Sequence, residues 1–155
     1  MEAASARLEE IGNQRSTPAV NEKVTLLRLL GRIDEAMVLA NEAVRQARFG
    51  GDREMLLLAR IRRAVLLHAQ GKSDRALVEL ADCATEAGAH DWPQVEAFAL
   101  QHRGRVSFDR EDYEAALRDF RDALTIRVRI RAEAELIDGS MLAIAITESK
   151  LGHPV

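Results

Sequence analysis

The sequence predicts an all-α protein built as an array of antiparallel helix pairs, and three observations carry that expectation. The segments Gly31-Arg32-Ile33-Asp34-Glu35-Ala36, Gly71-Lys72-Ser73-Asp74-Arg75-Ala76 and Glu111-Asp112-Tyr113-Glu114-Ala115-Ala116 share one pattern, a turn followed by an alanine-rich stretch. They recur at forty-residue intervals (71 − 31 and 111 − 71). A fixed period of this size marks stacked supersecondary units, none of which buries its apolar face alone. The composition is 47% hydrophobic but only 4% aromatic, so the core is built from Ala and Leu, which favours closely packed helices over sheet sandwiches. Finally, only 3 prolines interrupt 155 residues.

The elements follow in order. An opening helix is expected from Ala3 to Asn13, carrying Leu8 and Ile11. Ser16-Thr17-Pro18 restarts the chain with a hydroxyl cap and a proline in the first turn. Each pair then has a first helix, A, and a second, B. The A helices are expected near 18–30, 52–70, 92–109 and 133–151, and the B helices near 33–48, 73–87 and 112–130. Gly50-Gly51-Asp52 separates the first pair from the second, and Gly88-Ala89-His90-Asp91 the second from the third. Asp91, Pro93 and Gln94 read as a capping box with proline in the first turn. The third signature has Glu111 where the others have glycine, and its turn is the least well specified. Neither Gly nor Pro separates the third B helix from the last A helix at Ile130-Arg131-Ala132, which leaves open a fused helix that swaps between protomers.

The B helices explain the packing. Ala36, Ala40, Ala43 and Ala47 form one stripe at i, i+4, i+7 and i+11. The matching stripes hold Ala76, Leu80, Cys83 and Ala87, then Ala116, Phe120, Ala123 and Arg127. The first alanine of each stripe marks a close approach where a larger side chain would cost about 1–3 kcal/mol. Cys83 is accordingly expected to be a small buried hydrophobe.

The segment from Ala99 to Ile126, ALQHRGRVSFDREDYEAALRDFRDALTI, resembles the tetratricopeptide repeat, whose units commonly read NRG…GDYEAAL…F…AL. Arg103-Gly104, Tyr113, Ala116, Phe120 and Ala123 fill the matching slots. Val24, Gly31, Ile33, Ala36, Ala40 and Ala43 fill them in the first repeat, and Ala64, Gly71, Ser73, Ala76, Leu80 and Cys83 in the second. The resemblance implies a right-handed superhelical array with residues 1–16 as an N-terminal cap. Repeats follow at 17–50, 51–90 and 91–131, and a terminal A-type helix occupies 132–155. Because the period exceeds the family's usual length, the helices should be about a turn longer.

Other function classes find little support. The net charge of −3 argues against general nucleic-acid binding. A single cysteine excludes an internal disulfide and suits the reducing cytoplasm. The start, Met1-Glu2-Ala3-Ala4-Ser5, shows no secretory signal, and the longest aliphatic run, Met141 to Ile146, is too short to span a bilayer. Gly71-Lys72-Ser73 matches the end of a phosphate-binding loop, but Leu66 stands where that motif needs glycine, so a helix–helix turn capped by Ser73 is expected instead. His68, His90, His102 and His153 form no metal-binding pair, and no histidine is near Cys83 in sequence. No catalytic site, metal or cofactor is expected.

The resemblance further implies that the A helices line a concave groove. It assigns Asn21, Thr25 and Arg28 to that groove from the first A helix and Arg62, Val65 and His68 from the second. The third supplies Phe98, Gln101, His102, Arg105 and Phe108. Arginines are otherwise expected on solvated faces paired with acids. A groove mixing Arg, His and Phe suits a peptide or protein segment, with acidic or C-terminal segments preferred. The chaperone-tail clamp of the family is not expected, because its Lys/Asn positions correspond to Asn21, Thr25, Arg62, Phe98 and His102. A peptide-sensing regulatory domain of a larger protein, normally joined to an effector or DNA-binding domain, is the alternative within binding. A homo-oligomerisation unit is the structural one. For the latter, Met141, Leu142, Ile144 and Ile146 mark a helix apolar all round, whose bare face would be covered by a second copy in a C2 dimer or by further chain.

Overall fold

The computed structural model describes residues 1–152, so His153 and the end of the predicted terminal segment lie outside the described residues. Its regular structure is α-helical throughout: α1 (Glu2–Ile11), α2 (Thr17–Leu29), α3 (Ile33–Gly50), α4 (Arg53–Ala69), α5 (Ser73–Ala89), α6 (Pro93–Asp109), α7 (Tyr113–Arg129) and α8 (Ala134–Lys150). Each helix packs on its neighbours in sequence, and α4 also packs directly on α6. This is an all-α solenoid, with α2, α4, α6 and α8 as A helices and α3, α5 and α7 as B helices.

Helices α2 to α7 are each followed by a left-handed residue. A residue with positive φ stands at each twentieth position, Gly31, Gly51, Gly71, Asp91, Glu111 and Arg131. At the third of the expected turns the Glu111 amide donates to the Phe108 carbonyl and the Asp112 amide to the Ser107 carbonyl, both at 2.9 Å. Gly31–Arg32 and Gly71–Lys72 make the equivalent bonds. This is the left-handed helix stop that reverses the chain. In the second and third repeats the forty-residue period is therefore two helices of seventeen residues with three-residue joints, whereas α2 and α3 of the first have 13 and 18 residues.

Several local expectations need correction. Asp91 does not cap α6: at φ 55° it is the left-handed stop of α5, and Trp92 is the residue that precedes Pro93 at the helix start. Ser73 does not cap α5 either, since it is already the first helical residue and its hydroxyl bonds His68. The fused helix is excluded as well, because Arg131 at φ 54° breaks the chain between α7 and α8. Ser16 does cap α2, accepting from the Ala19 amide at 3.3 Å.

The second and third stripes point inward as expected, but in the first only Ala36 and Ala40 are buried, Val44 takes the next inward position, and Ala43 and Ala47 are half-buried and line a depression. Ala36, Ala76 and Ala116 are completely buried, as are Leu80, Cys83, Ala87 and Ala123. A second regularity links A and B helices at a fixed register. Val24 and Ala40 share one cluster, Ala64 and Leu80 another. In the third repeat Gly104 faces Phe120, where an added Cβ would lie 2.6 Å from the ring. As the B residue grows from Ala to Leu to Phe, its A partner shrinks from Val to Ala to Gly. The pair keeps roughly constant volume, which holds the helices at one spacing.

The terminal helix departs from expectation in the way it packs. The buried residues of α8 are Ser140 and Thr147, whereas Leu136, Met141, Leu142 and Ile146 stay 44%, 53%, 63% and 45% exposed. The small polar residues are satisfied internally. The Arg127 guanidinium donates to the Ser140 hydroxyl at 2.9 Å and to the Leu136 carbonyl at 3.2 Å, and Thr147 donates to the Ala143 carbonyl.

Gly104→Ala is expected to destabilise the fold by about 1–3 kcal/mol through overpacking. Adding Phe120→Leu, which recreates the Ala64–Leu80 pair, should restore most of the loss. Denaturant melts of the two variants check this, and strictly additive losses would dismiss the compensating pair.

Candidate functional site

The concave face is assembled from the last two turns of three A helices and the middle of α8. Arg28 on α2, Val65 and His68 on α4, and His102, Arg105 and Asp109 on α6 line one cleft of about 360 Å³. A second cleft of about 460 Å³ continues from it between α6 and α8. It shares His102, Arg105 and Asp109 and adds Gln101 and Phe108, with Leu142, Ala143 and Ile146 as its far wall. Asn21 and Arg62 lie in a separate depression between α2 and α4, beside Met55 and Asp52. Thr25 is exposed and bonds the Asn21 carbonyl within its own helix. Phe98 sits edge-on to His102, with ring centroids 4.7 Å apart.

The structure sorts the arginines. Arg60 and Arg63 both pair with Glu79, at 2.7 and 3.2 Å, and Arg103 grips Asp119 with two bonds of 2.8 Å. Arg63–Glu79 and Arg103–Asp119 occupy the same register one repeat apart, so these pairs brace A against B. Arg110 likewise pairs with Asp74, one repeat beyond the Gln70–Asp34 bond. Arg28, Arg62 and Arg105 have no ion-pair or side-chain hydrogen-bond partner among the described residues and, unlike the other unpaired arginines, line the clefts of this face. Burial and the neighbouring Arg105 charge pull Arg28 below the usual guanidinium range, and burial does the same to Arg62.

His102 is the centre of this positive field. Burial, followed by the charges of Arg105, Arg28, Arg127 and Arg62, pushes its pKa down to about 3. The imidazole is therefore neutral and serves as a polar, uncharged floor.

Gln101 was assigned to the groove but is committed to structure. Its side-chain oxygen accepts the Ser140 hydroxyl at 2.7 Å, extending the Arg127–Ser140 link from α7 and α8 to α6. His68 also has structural partners. The Ser73 hydroxyl lies 2.8 Å from its Nδ1, and its Nε2 lies 2.7 Å from Asp109. That chain ties the ends of α4 and α6 to the start of α5. Phe108 packs edge-on against Tyr113, with centroids 5.2 Å apart.

The residues expected to form one oligomer face are divided. Leu142 and Ile146 turn into the α6–α8 cleft, Ile144 is half-buried, and Met141 is exposed outside the cleft. Asp109, Gly139 and Ala143 join the groove without having been predicted. The register could have found part of this, since Leu142 and Ile146 follow His102 and Val106 by one full period. Cys83 is buried away from the groove, and that burial raises its thiol pKa to about 12, which makes it inert.

No family model and no curated protein matches the sequence. Among solved structures, the chain is similar to Bacillus thuringiensis PlcR in complex with the peptide PapR7 and DNA, with TM-score 0.79 and 15% identity over 98% of this chain and 60% of PlcR. It is also similar to BtubC (BKLC) from P. vanneervenii, with TM-score 0.68 and 16% identity over 96% of this chain and 64% of BtubC. The chain thus spans less than two thirds of either protein. At this identity the likeness concerns the fold, an eight-helix array that fits a tetratricopeptide-like helical repeat.

Because the folded His102 resists protonation, stability should fall as pH drops below its unfolded pKa of about 6.5. The unfolded chain takes up that proton readily and the folded one does so only near pH 3. Thermal melts between pH 7.5 and 5 should show a smaller acid loss for His102→Gln than for the parent, and equal slopes would contradict the assignment.

Proposed function

We propose that this array is a non-catalytic interaction module that holds a peptide or protein segment along its concave face. The observation that carries the reading is the set of unpaired guanidinium groups, Arg28, Arg62 and Arg105, on the face where α2, α4 and α6 converge. Arg45, Arg48, Arg75, Arg118, Arg129 and Arg131 are also without acid partners but are exposed and lie outside these clefts, whereas these three line them and keep their donors for something outside the chain. The groove continues into an apolar cleft, so one ligand can meet charge and apolar surface together. The PlcR structure, which contains a peptide, supports this reading by analogy of fold. It also favours a second reading, in which the array is the peptide-sensing part of a larger regulator.

Arg62→Glu with Arg105→Glu should remove partners captured from a lysate of the native host while leaving the melting temperature essentially unchanged. Each lost charge-assisted contact corresponds to about 1.5–3 kcal/mol, so capture should fall at least tenfold. Retention of the same partners would dismiss the groove.

The Ser73–His68–Asp109 chain acts in this reading as a brace between repeats. A hydroxyl, an imidazole and a carboxylate in that order also activate nucleophiles in hydrolases, which gives the non-catalytic assignment its own test. Hydrolysis of p-nitrophenyl acetate by the protein should be unchanged by Ser73→Ala. A drop of tenfold or more would establish a nucleophile and overturn the assignment.

A further inference from the structure

We propose that the groove selects ligands carrying a carboxylate next to a bulky apolar side chain. The carboxylate would lie between Arg28 and Arg105, and the apolar group in the cleft between α6 and α8. The inference rests on the peptide-binding reading and specifies its ligand.

The two clefts of the concave face meet at His102 and Arg105, which line both. On one side of that boundary stands Arg28, close enough to Arg105 for the two charges to repel each other. On the other side Phe108, Phe120, Leu142, Ala143 and Ile146 present carbon. A ligand bridging the boundary therefore meets two guanidinium groups at one end and an aliphatic wall at the other.

Charge complementarity identifies the polar end. The whole chain carries a net charge of −3, yet its concave centre is positive. The carboxylate lining both clefts, Asp109, is bonded to His68. Asp52, beside Arg62 in the neighbouring depression, caps α4 through the Met55 amide. Neither closes an ion pair with Arg28 or Arg105. A planar carboxylate matches the fork of a guanidinium group and cancels the repulsion between the two arginines.

Size identifies the apolar end. About 460 Å³ of open cleft accommodates one or two large side chains, and Leu142 and Ile146 are 63% and 45% exposed. Their apolar surface is available for burial by a ligand. His102 separates the two halves as a neutral ring, able to exchange one hydrogen bond with a peptide group without adding charge.

The test is selection from a random heptapeptide library displayed with free C termini, using the intact chain as bait. Enriched peptides should carry a carboxylate within two residues of Leu, Ile, Met or Phe. Resynthesis as C-terminal amides, and with Asn or Gln for each acid, tells whether the α-carboxylate or a side chain supplies the charge. Removing the carboxylate that is used should weaken binding at least tenfold. Arg105→Gln should abolish selection for acids, and Leu142→Ser with Ile146→Ser selection for the apolar residue. These positions are exposed, and Arg105→Gln relieves repulsion, so unchanged melts accompany each loss. Enriched peptides lacking that pairing, yet still displaced by Arg62→Glu with Arg105→Glu, would overturn this inference and leave the peptide-binding reading standing. No enrichment at all would overturn both.

Discussion

The left-handed residue at every twentieth position is the constraint on which the whole array depends. A helix of seventeen residues is about 25 Å long, and the three-residue joint after it sends the chain straight back along its own side. Because each joint carries this left-handed residue, each helix turns back against the one before it. Glycine adopts this conformation without strain, and at Gly31, Gly51 and Gly71 the sequence supplies it. Asp91, Glu111 and Arg131 adopt it at a cost of roughly 1–2 kcal/mol each. That the turn survives there shows that packing, and not local preference, sets the chain direction in the later repeats.

Two further devices keep successive repeats in register. Volume exchange at the A–B contact, from Val24 with Ala40 to Gly104 with Phe120, fixes helix spacing even though the residues change. Polar bonds at matching positions, Gln70 with Asp34 and Arg110 with Asp74, then tie the end of one A helix to the start of the preceding B helix. Neither device supplies much energy alone, since exposed ion pairs contribute about 0–1 kcal/mol. Their effect is geometric. Side chains on α2, α4, α6 and α8 are carried to one surface by a stack that has little freedom to slide.

Much of this was legible in the sequence because the repeat is legible. The forty-residue period, the buried alanines at 36, 76 and 116, and the helix bounds all follow from spacing and volume. The failures are local and share one cause. Asp91 and Ser73 were read by residue type as helix caps, whereas the joint geometry had already assigned their positions other roles. Partnering was equally invisible, because sequence alone does not show that Arg63 and Arg103 find acids while Arg28 and Arg105 do not. The burial of Ser140 instead of Leu142 depends on Arg127, which reaches across from α7 and draws a hydroxyl inward. A hydrophobic pattern contains no sign of that bond.

The same bond helps explain how the groove acquires its two characters. Had α8 buried its aliphatic residues, the wall opposite Phe108 would be polar and the cleft would be filled. Turning Ser140 and Thr147 inward leaves Leu142 and Ile146 facing α6, and it binds α8 to α6 and α7 through Gln101 and Arg127. The Arg127 charge, fixed there for structural reasons, also adds to the field that keeps His102 neutral. A protonated His102 would add a charge beside four arginines, so the arginine cluster and the burial of the ring together favour the uncharged imidazole. The positive field and the apolar wall thus share a structural origin, the polar seam by which α8 closes against its neighbours.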